Sequence, residues 1–236
     1  TEARVQAGLA AIAVLRGDAA SGAASASGAT NTGENAAQGF ELLLANGLAA
    51  LADRTPAGAQ RARDALLAAA DADPVRAVYA WRALAYLAET TNNPEDAQRF
   101  IDLAIENDPT DAWTLFERGR LLAAHDDLDG ANTSFKAALD QELDFPDALA
   151  QIGELNHRRG DFAAADKYLE RATLLDPKLA IAFALRGVNF IEMGDLRSAE
   201  DTLKQALAID PAHPTARNAL AWVWYRKGGE ENAIEA

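Results

Sequence analysis

A passage of this chain is written twice. "HRRGDFAAADKYLERATLLDP" runs from His157 to Pro177, and 34 residues later "IEMGDLRSAEDTLKQALAIDP" runs from Ile191 to Pro211, with Gly-Asp, Ala, Leu, Ala and Asp-Pro in register. A fixed period of this length means that one supersecondary unit is copied along the chain. The recurrence extends in both directions. Ala62, Ala97, Ala131, Ala165, Ala199 and Ala233 form a column spaced by 35 and then by 34 residues. Four residues after each of the first five stands a large apolar side chain: Leu66, Ile101, Phe135, Leu169 and Leu203. Ala69, Ala104, Ala138, Ala172 and Ala206 form a third column, and Pro74, Pro109, Pro177 and Pro211 a fourth, with Leu143 replacing proline once. Twelve residues before each alanine of the first column lies a small residue: Ala50, Ala85, Gly119, Gly153, Gly187 and Ala221.

Elementary packing gives each column a meaning. The unit reads as two antiparallel helices whose crossing point needs small residues, because larger ones hold the backbones apart. Gly160-Asp161 and Gly194-Asp195 mark the turn between them. Glycine is free to take the left-handed conformation that ends the first helix, and aspartate can cap the second. Asp-Pro ends the second helix, since proline lacks an amide proton and clashes with the preceding turn. No such unit buries its apolar face alone, so stability comes from stacking on neighbours. Units are expected to start near Leu43, Val78, Ala112, Pro146, Ala180 and Pro214, the last incomplete.

The pattern resembles the tetratricopeptide repeat, a 34-residue unit of the form W-x2-L-G-x2-Y, then A-x3-F, then P. Trp81-x2-Leu84-Ala85 and Phe183-x2-Arg186-Gly187-x2-Phe190 fit the first half, and Ala-x3-Leu/Phe-x2-Ala fits the second half of every full unit. The first unit departs most, with Asn46 in the Trp slot and Asp53 in the Tyr slot. The resemblance implies an all-α fold, a right-handed α-α superhelical solenoid of about five full hairpins and a partial sixth over residues 40–236. Residues 1–16 add an N-terminal helix with Val5, Leu9 and Ile12 on one face. Residues 17–39, rich in Gly, Ser and Ala, read as a flexible linker or loop, with a coil reach of roughly 26 Å. The chain opens at Thr1 and stops at Ala236 within a unit, which suggests a piece of something longer.

Composition narrows the function. With 36 acidic against 22 basic side chains the net charge is −14, which repels phosphate backbones and anionic membranes and favours basic partners. There is no cysteine, so disulfides, thiolate metal sites and cysteine nucleophiles are excluded. This leaves the compartment open between the cytoplasm and a bacterial periplasmic or other extracytoplasmic site, with a lean toward the latter. No stretch has the roughly 18 uninterrupted apolar residues of a membrane span. The three histidines, His125, His157 and His213, are too dispersed for a metal cluster. "HDDLDG" at His125–Gly130 carries Lys136 where a calcium loop needs a bidentate Glu. With no phosphate-binding loop, GxSxG or His-Glu-x-x-His motif, the sequence carries no warrant for an enzyme or for a cofactor.

What the resemblance implies instead is a scaffold that binds a protein or peptide. The groove positions of the family fall on Tyr79, Arg82 and Tyr86, then Trp113, Phe116 and Arg120, then Gln151, Glu154 and His157. They continue with Ile181, Val188 and Ile191, and end with Asn218, Trp222 and Tyr225. Aromatic and Arg side chains anchor protein interfaces, so a partner with apolar anchors, or a basic one, fits this lining. Some of these positions also touch the neighbouring repeat, so Tyr86, Trp113 and Trp222 have two readings, contact and packing. The two-carboxylate clamp of chaperone-binding members is not reproduced: its slots read Arg82, Tyr86, Glu117, Asp147 and Gln151, and the acids would repel a C-terminal carboxylate. Two alternatives stand beside the scaffold. One is a self-associating subunit joined through the N-terminal helix and the aromatic C-terminal edge. The other is the regulatory repeat region of a longer enzyme.

Overall fold

The computed structural model describes residues 36–228. The expected helix over 1–16, the linker up to residue 35, and residues 229–236 with Ala233 lie outside the described residues. Eleven α-helices and no strand are found among the described residues: α1 (Ala36–Leu51), α2 (Pro56–Ala72), α3 (Ala77–Thr90), α4 (Pro94–Asn107), α5 (Ala112–Ala124), α6 (Leu128–Gln141), α7 (Pro146–Arg158), α8 (Phe162–Leu175), α9 (Ala180–Glu192), α10 (Leu196–Ile209) and α11 (Pro214–Arg226). The chain forms two compact units, Thr1–Arg118 and Gly119–Ala236. In the first, α1 packs on α2, α2 on α3 and α3 on α4. In the second, consecutive helices pair from α6 to α11, and α9 touches both α7 and α11.

The helix boundaries follow from side-chain chemistry that recurs with the repeat. Asn93, Asp127, Asp161 and Asp195 each accept a hydrogen bond from the backbone N–H three residues on, capping α4, α6, α8 and α10. Thr55 does the same for α2 through Gly58 N. Just before these caps the chain turns through positive φ, at Gly160 (80°) and Gly194 (81°) as the Gly-Asp pairs predict, and at Asn92 (57°) and Asp126 (64°). Asparagine and aspartate tolerate this left-handed region better than other side chains. Each second helix closes where the N–H of Asp73, Asp108, Glu142, Asp176 or Asp210 reaches back to the carbonyl of Ala69, Ala104, Ala138, Ala172 or Ala206.

Within each hairpin the first helix offers a small residue to the large one of the second. A Cβ placed on Gly119, Gly153 or Gly187 would come within 2.5–2.6 Å of Phe135, Leu169 or Leu203. Behind Leu169 and Leu203, a layer of alanines continues the packing. Leu149, Ala150, Ala165, Leu169, Ala172 and Ala182 form one buried cluster, and Ala184, Ala199, Leu203, Ala206, Ala216, Leu220 and Val223 another.

The first hairpin differs from the expected register. Gly47, not Ala50, faces Leu66, and the pair is 19 residues apart where the equivalent pairs of the second unit are 16 apart. The turn between α1 and α2 spans four residues where the later hairpin turns span three, and α2 has 17 residues where α4, α6, α8 and α10 have 14, so every expected position in α1 moves three residues upstream. Asn46 is exposed instead of filling the Trp slot, and Asp53 sits in the turn, accepting from Thr55 N. Residues 36–39, expected to belong to the linker, are already helical, as part of α1. Asn156 stands where the neighbouring units carry Leu122 and Phe190, and its amide donates to Ile152 O at 2.7 Å.

Gly187→Val places a branched side chain against the buried Leu203, and is expected to cost about 1–3 kcal/mol by overpacking. Urea unfolding followed by circular dichroism checks this, with the exposed Ala163→Val in α8 as the control.

Candidate interaction faces

In the first unit, α3 and α5 carry five of the side chains expected on a partner-binding face. Tyr79 is 39% exposed. Arg82 is not available: it is 3% exposed, with Nη1 3.3 Å from Asp111 and its guanidinium 5.8 Å from the Trp113 ring centroid. Burial lowers the pKa of Arg82, and the charges of Asp111 and Glu117 oppose that. Its Nε and Nη2 find no hydrogen-bond acceptor among the described residues. Phe116 is likewise buried and meets Trp113 edge-on at 5.8 Å. Trp113 is half-buried. Arg82 and Phe116 are therefore packing residues, a correction to their assignment as contact residues. Their helical position placed them on the right face, but the start of α5 folds over that face and covers it.

Tyr86 is half-buried and lines a cleft of about 730 Å³ between the first two hairpins. Leu51, Leu84 and Leu87 form its floor, and Arg54, Arg63 and Tyr86 its rim. The long α1–α2 turn, with Asp53, Arg54 and Thr55, supplies one wall. Sequence reasoning missed this cleft, because it depends on three extra residues between Gly47 and Leu66 that the repeat register conceals.

In the second unit Arg120, Gln151, Glu154 and His157 are all partly exposed. The His157 Nδ1 lies 3.1 Å from Asn189 Oδ1 and its ring tilts onto Phe162 at 5.4 Å, so packing fixes its orientation. Asn189, fully buried, donates to Phe162 O at 2.9 Å. Ile181, Val188 and Ile191 on α9 are half-buried. On α11, Asn218 is exposed, Trp222 is 41% exposed and Tyr225 is 60% exposed. Arg226 lies over the Trp222 ring at 4.8 Å, which holds that indole in place by a cation–π contact.

Helix α11 is fastened to α10 by a polar cluster. Glu200 accepts from Lys204 Nζ at 2.6 Å, from Trp224 Nε1 at 3.1 Å and from Lys227 Nζ. Hydrogen bonds from Lys204, Lys227 and Trp224 lower its pKa to about 2. The stabilisation is present above the unfolded pKa of 4.5 and is lost as pH falls toward 2. The Lys204 partner follows from i,i+4 helix spacing; Trp224 and Lys227 come from the next helix and no local signal reveals them.

Two measurements check these assignments. Asp111→Ala removes the ion pair of Arg82, leaving it the charge of Glu117, and also removes the acceptor of Thr114 N and Oγ1. It is expected to cost about 3 kcal/mol, of which Arg82→Met in the same background recovers only the ion-pair share; urea unfolding decides. Glu200→Gln is expected to destabilise the chain at pH 7, with the gap from the parent closing between pH 4.5 and 2; thermal unfolding across that range reads it.

The arrangement matches known proteins at the level of family and fold. A sequence model described as a tetratricopeptide repeat covers residues 116–180 and 185–236. The general transcriptional corepressor ssn6 of Schizosaccharomyces pombe is 29% identical over 147 residues, 61% of this chain and 13% of that protein. The chain thus spans a small part of that relative's length. The solved structure of Pseudomonas aeruginosa pilF matches with a TM-score of 0.73 at 16% identity, over 86% of this chain and 90% of that one. The Cut9–Hcn1 hetero-tetramer of the APC/C matches with a TM-score of 0.73 at 18% identity, over 85% of this chain and 38% of that one. Proteins built from such repeats generally mediate protein–protein interaction, and their fold is generally a non-enzymatic scaffold. With its repeat columns, its paired helices and this shared all-α solenoid fold, the chain belongs to the tetratricopeptide-repeat family.

Proposed function

We propose that this chain is a non-enzymatic scaffold that binds a protein or peptide partner through exposed apolar and aromatic side chains of its first helices, as one component of a larger bacterial assembly. The observation that carries the reading is on α9 and α11. Ile181, Val188 and Ile191 are half-buried, and Trp222 and Tyr225 are open to solvent. An aromatic side chain left this exposed on an ordered helix offers large contact area with few rotors to freeze on binding. A partner helix or extended segment with apolar anchors would cover it. The Cut9–Hcn1 structure, a hetero-tetramer, is a case of this fold in an assembly with another chain.

The same exposed pair on α11 favours a second reading, in which copies of this chain associate through the aromatic edge and the N-terminal segment. Trp222→Ala/Tyr225→Ala separates the two. The scaffold reading expects the parent to be a monomer by light scattering at all concentrations, and expects the variant to lose the partner captured by affinity pull-down while keeping its helical circular dichroism. A parent mass that rises with concentration and falls in the variant supports self-association instead.

A further inference from the structure

The cleft between the first two hairpins has a chemistry unlike the rest of this acidic chain. Its volume of about 730 Å³ lies within the range of roughly 300–1,000 Å³ typical of ligand sites. The floor is aliphatic, and the one carboxylate that lines it, Asp53, is already engaged: it accepts from Thr55 N at 3.2 Å and pairs with Arg61. Hydrogen bonds from Thr55, followed by the Arg61 interaction, hold the Asp53 carboxyl below its ordinary value, so it stays ionised and occupied. The rim cations are not balanced in the same way. Arg54 is exposed and makes no ion pair among the described residues. Arg63 commits Nη1 to Asp96 at 3.1 Å and keeps its other donors. The Tyr86 hydroxyl has no hydrogen-bond partner among the described residues. The N-termini of α2 and α4, at Thr55–Pro56 and Asn93, border the same cleft and add the positive ends of two helix dipoles.

We propose that this cleft binds an acidic side chain flanked by apolar residues within a partner peptide, the carboxylate meeting Arg54, Arg63 and Tyr86 and its apolar neighbours covering Leu51, Leu84 and Leu87. The inference rests on the protein-binding reading above and gives it a chemistry that the net charge of −14 does not suggest. Of the clamp slots, only Tyr86 lines the cleft, and neither Glu117 nor Asp147 does. An internal carboxylate fits better than a chain terminus carrying two, because the cleft holds one cation without a partner and one already half-committed.

The test is a selection of random dodecapeptides displayed on phage against the immobilised full chain. Recovered sequences are then made with both ends blocked and titrated by fluorescence anisotropy. Peptides carrying Glu or Asp beside Leu, Ile or Phe are expected. Their affinity should fall at least about tenfold with Arg54→Glu, as the loss of a charge-assisted hydrogen bond implies. It should fall less with Tyr86→Phe, fall in step when the peptide's Glu becomes Gln, and hold with Trp222→Ala/Tyr225→Ala. Arg54→Ala, at a solvent-exposed turn, repeats the first arm without reversing charge. Peptides without acidic residues, or acidic ones that bind the Arg54 variants as tightly as the parent, overturn this site. Peptides lost only with the Trp222 and Tyr225 variant overturn it too, while leaving the broader protein-binding function standing. Recovery of no peptide overturns both.

Discussion

The structure depends on how closely two helices can approach within one hairpin. At Gly119, Gly153 and Gly187 the missing Cβ lets the side chain of Phe135, Leu169 or Leu203 seat directly on the opposing backbone. With Gly153 and Gly187, the carbonyls of Ala165 and Ala199 also come within 3.4 Å of where a Cβ would be. That one contact sets the distance between the helices, and the distance sets which faces remain for the next hairpin. In the second unit the remaining faces are alanine-rich, so successive hairpins also pack closely, and the alanine columns follow from the same geometry. The 34-residue period is thus the sequence record of a contact that must be made again in each layer.

Polar groups complete what packing starts. A helix leaves four N–H groups and four carbonyls unsatisfied at its ends, and the second helices of this chain answer mostly with aspartate, whose side chain accepts at the start and whose backbone N–H donates to an alanine carbonyl at the end. Asp127, Asp161 and Asp195 cap the starts. Asp73, Asp108, Asp176 and Asp210 follow the ends and accept from the N–H two residues on, at 2.9–3.1 Å. The proline after each of these four aspartates has no N–H to satisfy, so the aspartate bonds the residue beyond it.

This division explains what could be read from the sequence. The hairpins, their turns and their order were legible because they rest on contacts at fixed separations, such as Gly187 with Leu203 sixteen residues on. The register of the first hairpin was not, since three extra residues between its paired positions, accommodated mainly by the longer α2, move Gly47 into the place the period assigns to Ala50. The candidate faces were legible only in part. Helical position put Arg82 and Trp222 on equivalent faces, but Asp111 and Trp113 pack over Arg82, whereas Trp222 keeps 41% of its surface open. Position along a helix gives direction; burial depends on what the chain does some thirty residues later. Glu200 shows the same limit, with Lys204 visible on its own helix and Trp224 and Lys227 supplied by the next.

The acidic balance carries a related lesson about partners. A net charge of −14 taken alone steers toward a basic ligand. Part of that charge, however, belongs to Asp127, Asp161 and Asp195, whose oxygens face backbone N–H groups at helix N-termini, where the peptide dipoles partly offset them. Those carboxylates are present because the repeat needs caps, and they recur whatever the partner is. Selectivity then resides in charges that the repeat does not use. Arg54 sits in the one turn that departs from the period and has no architectural partner; within an acidic repeat, an unpaired cation beside an aliphatic cleft says more about the ligand than the sum of the charges does.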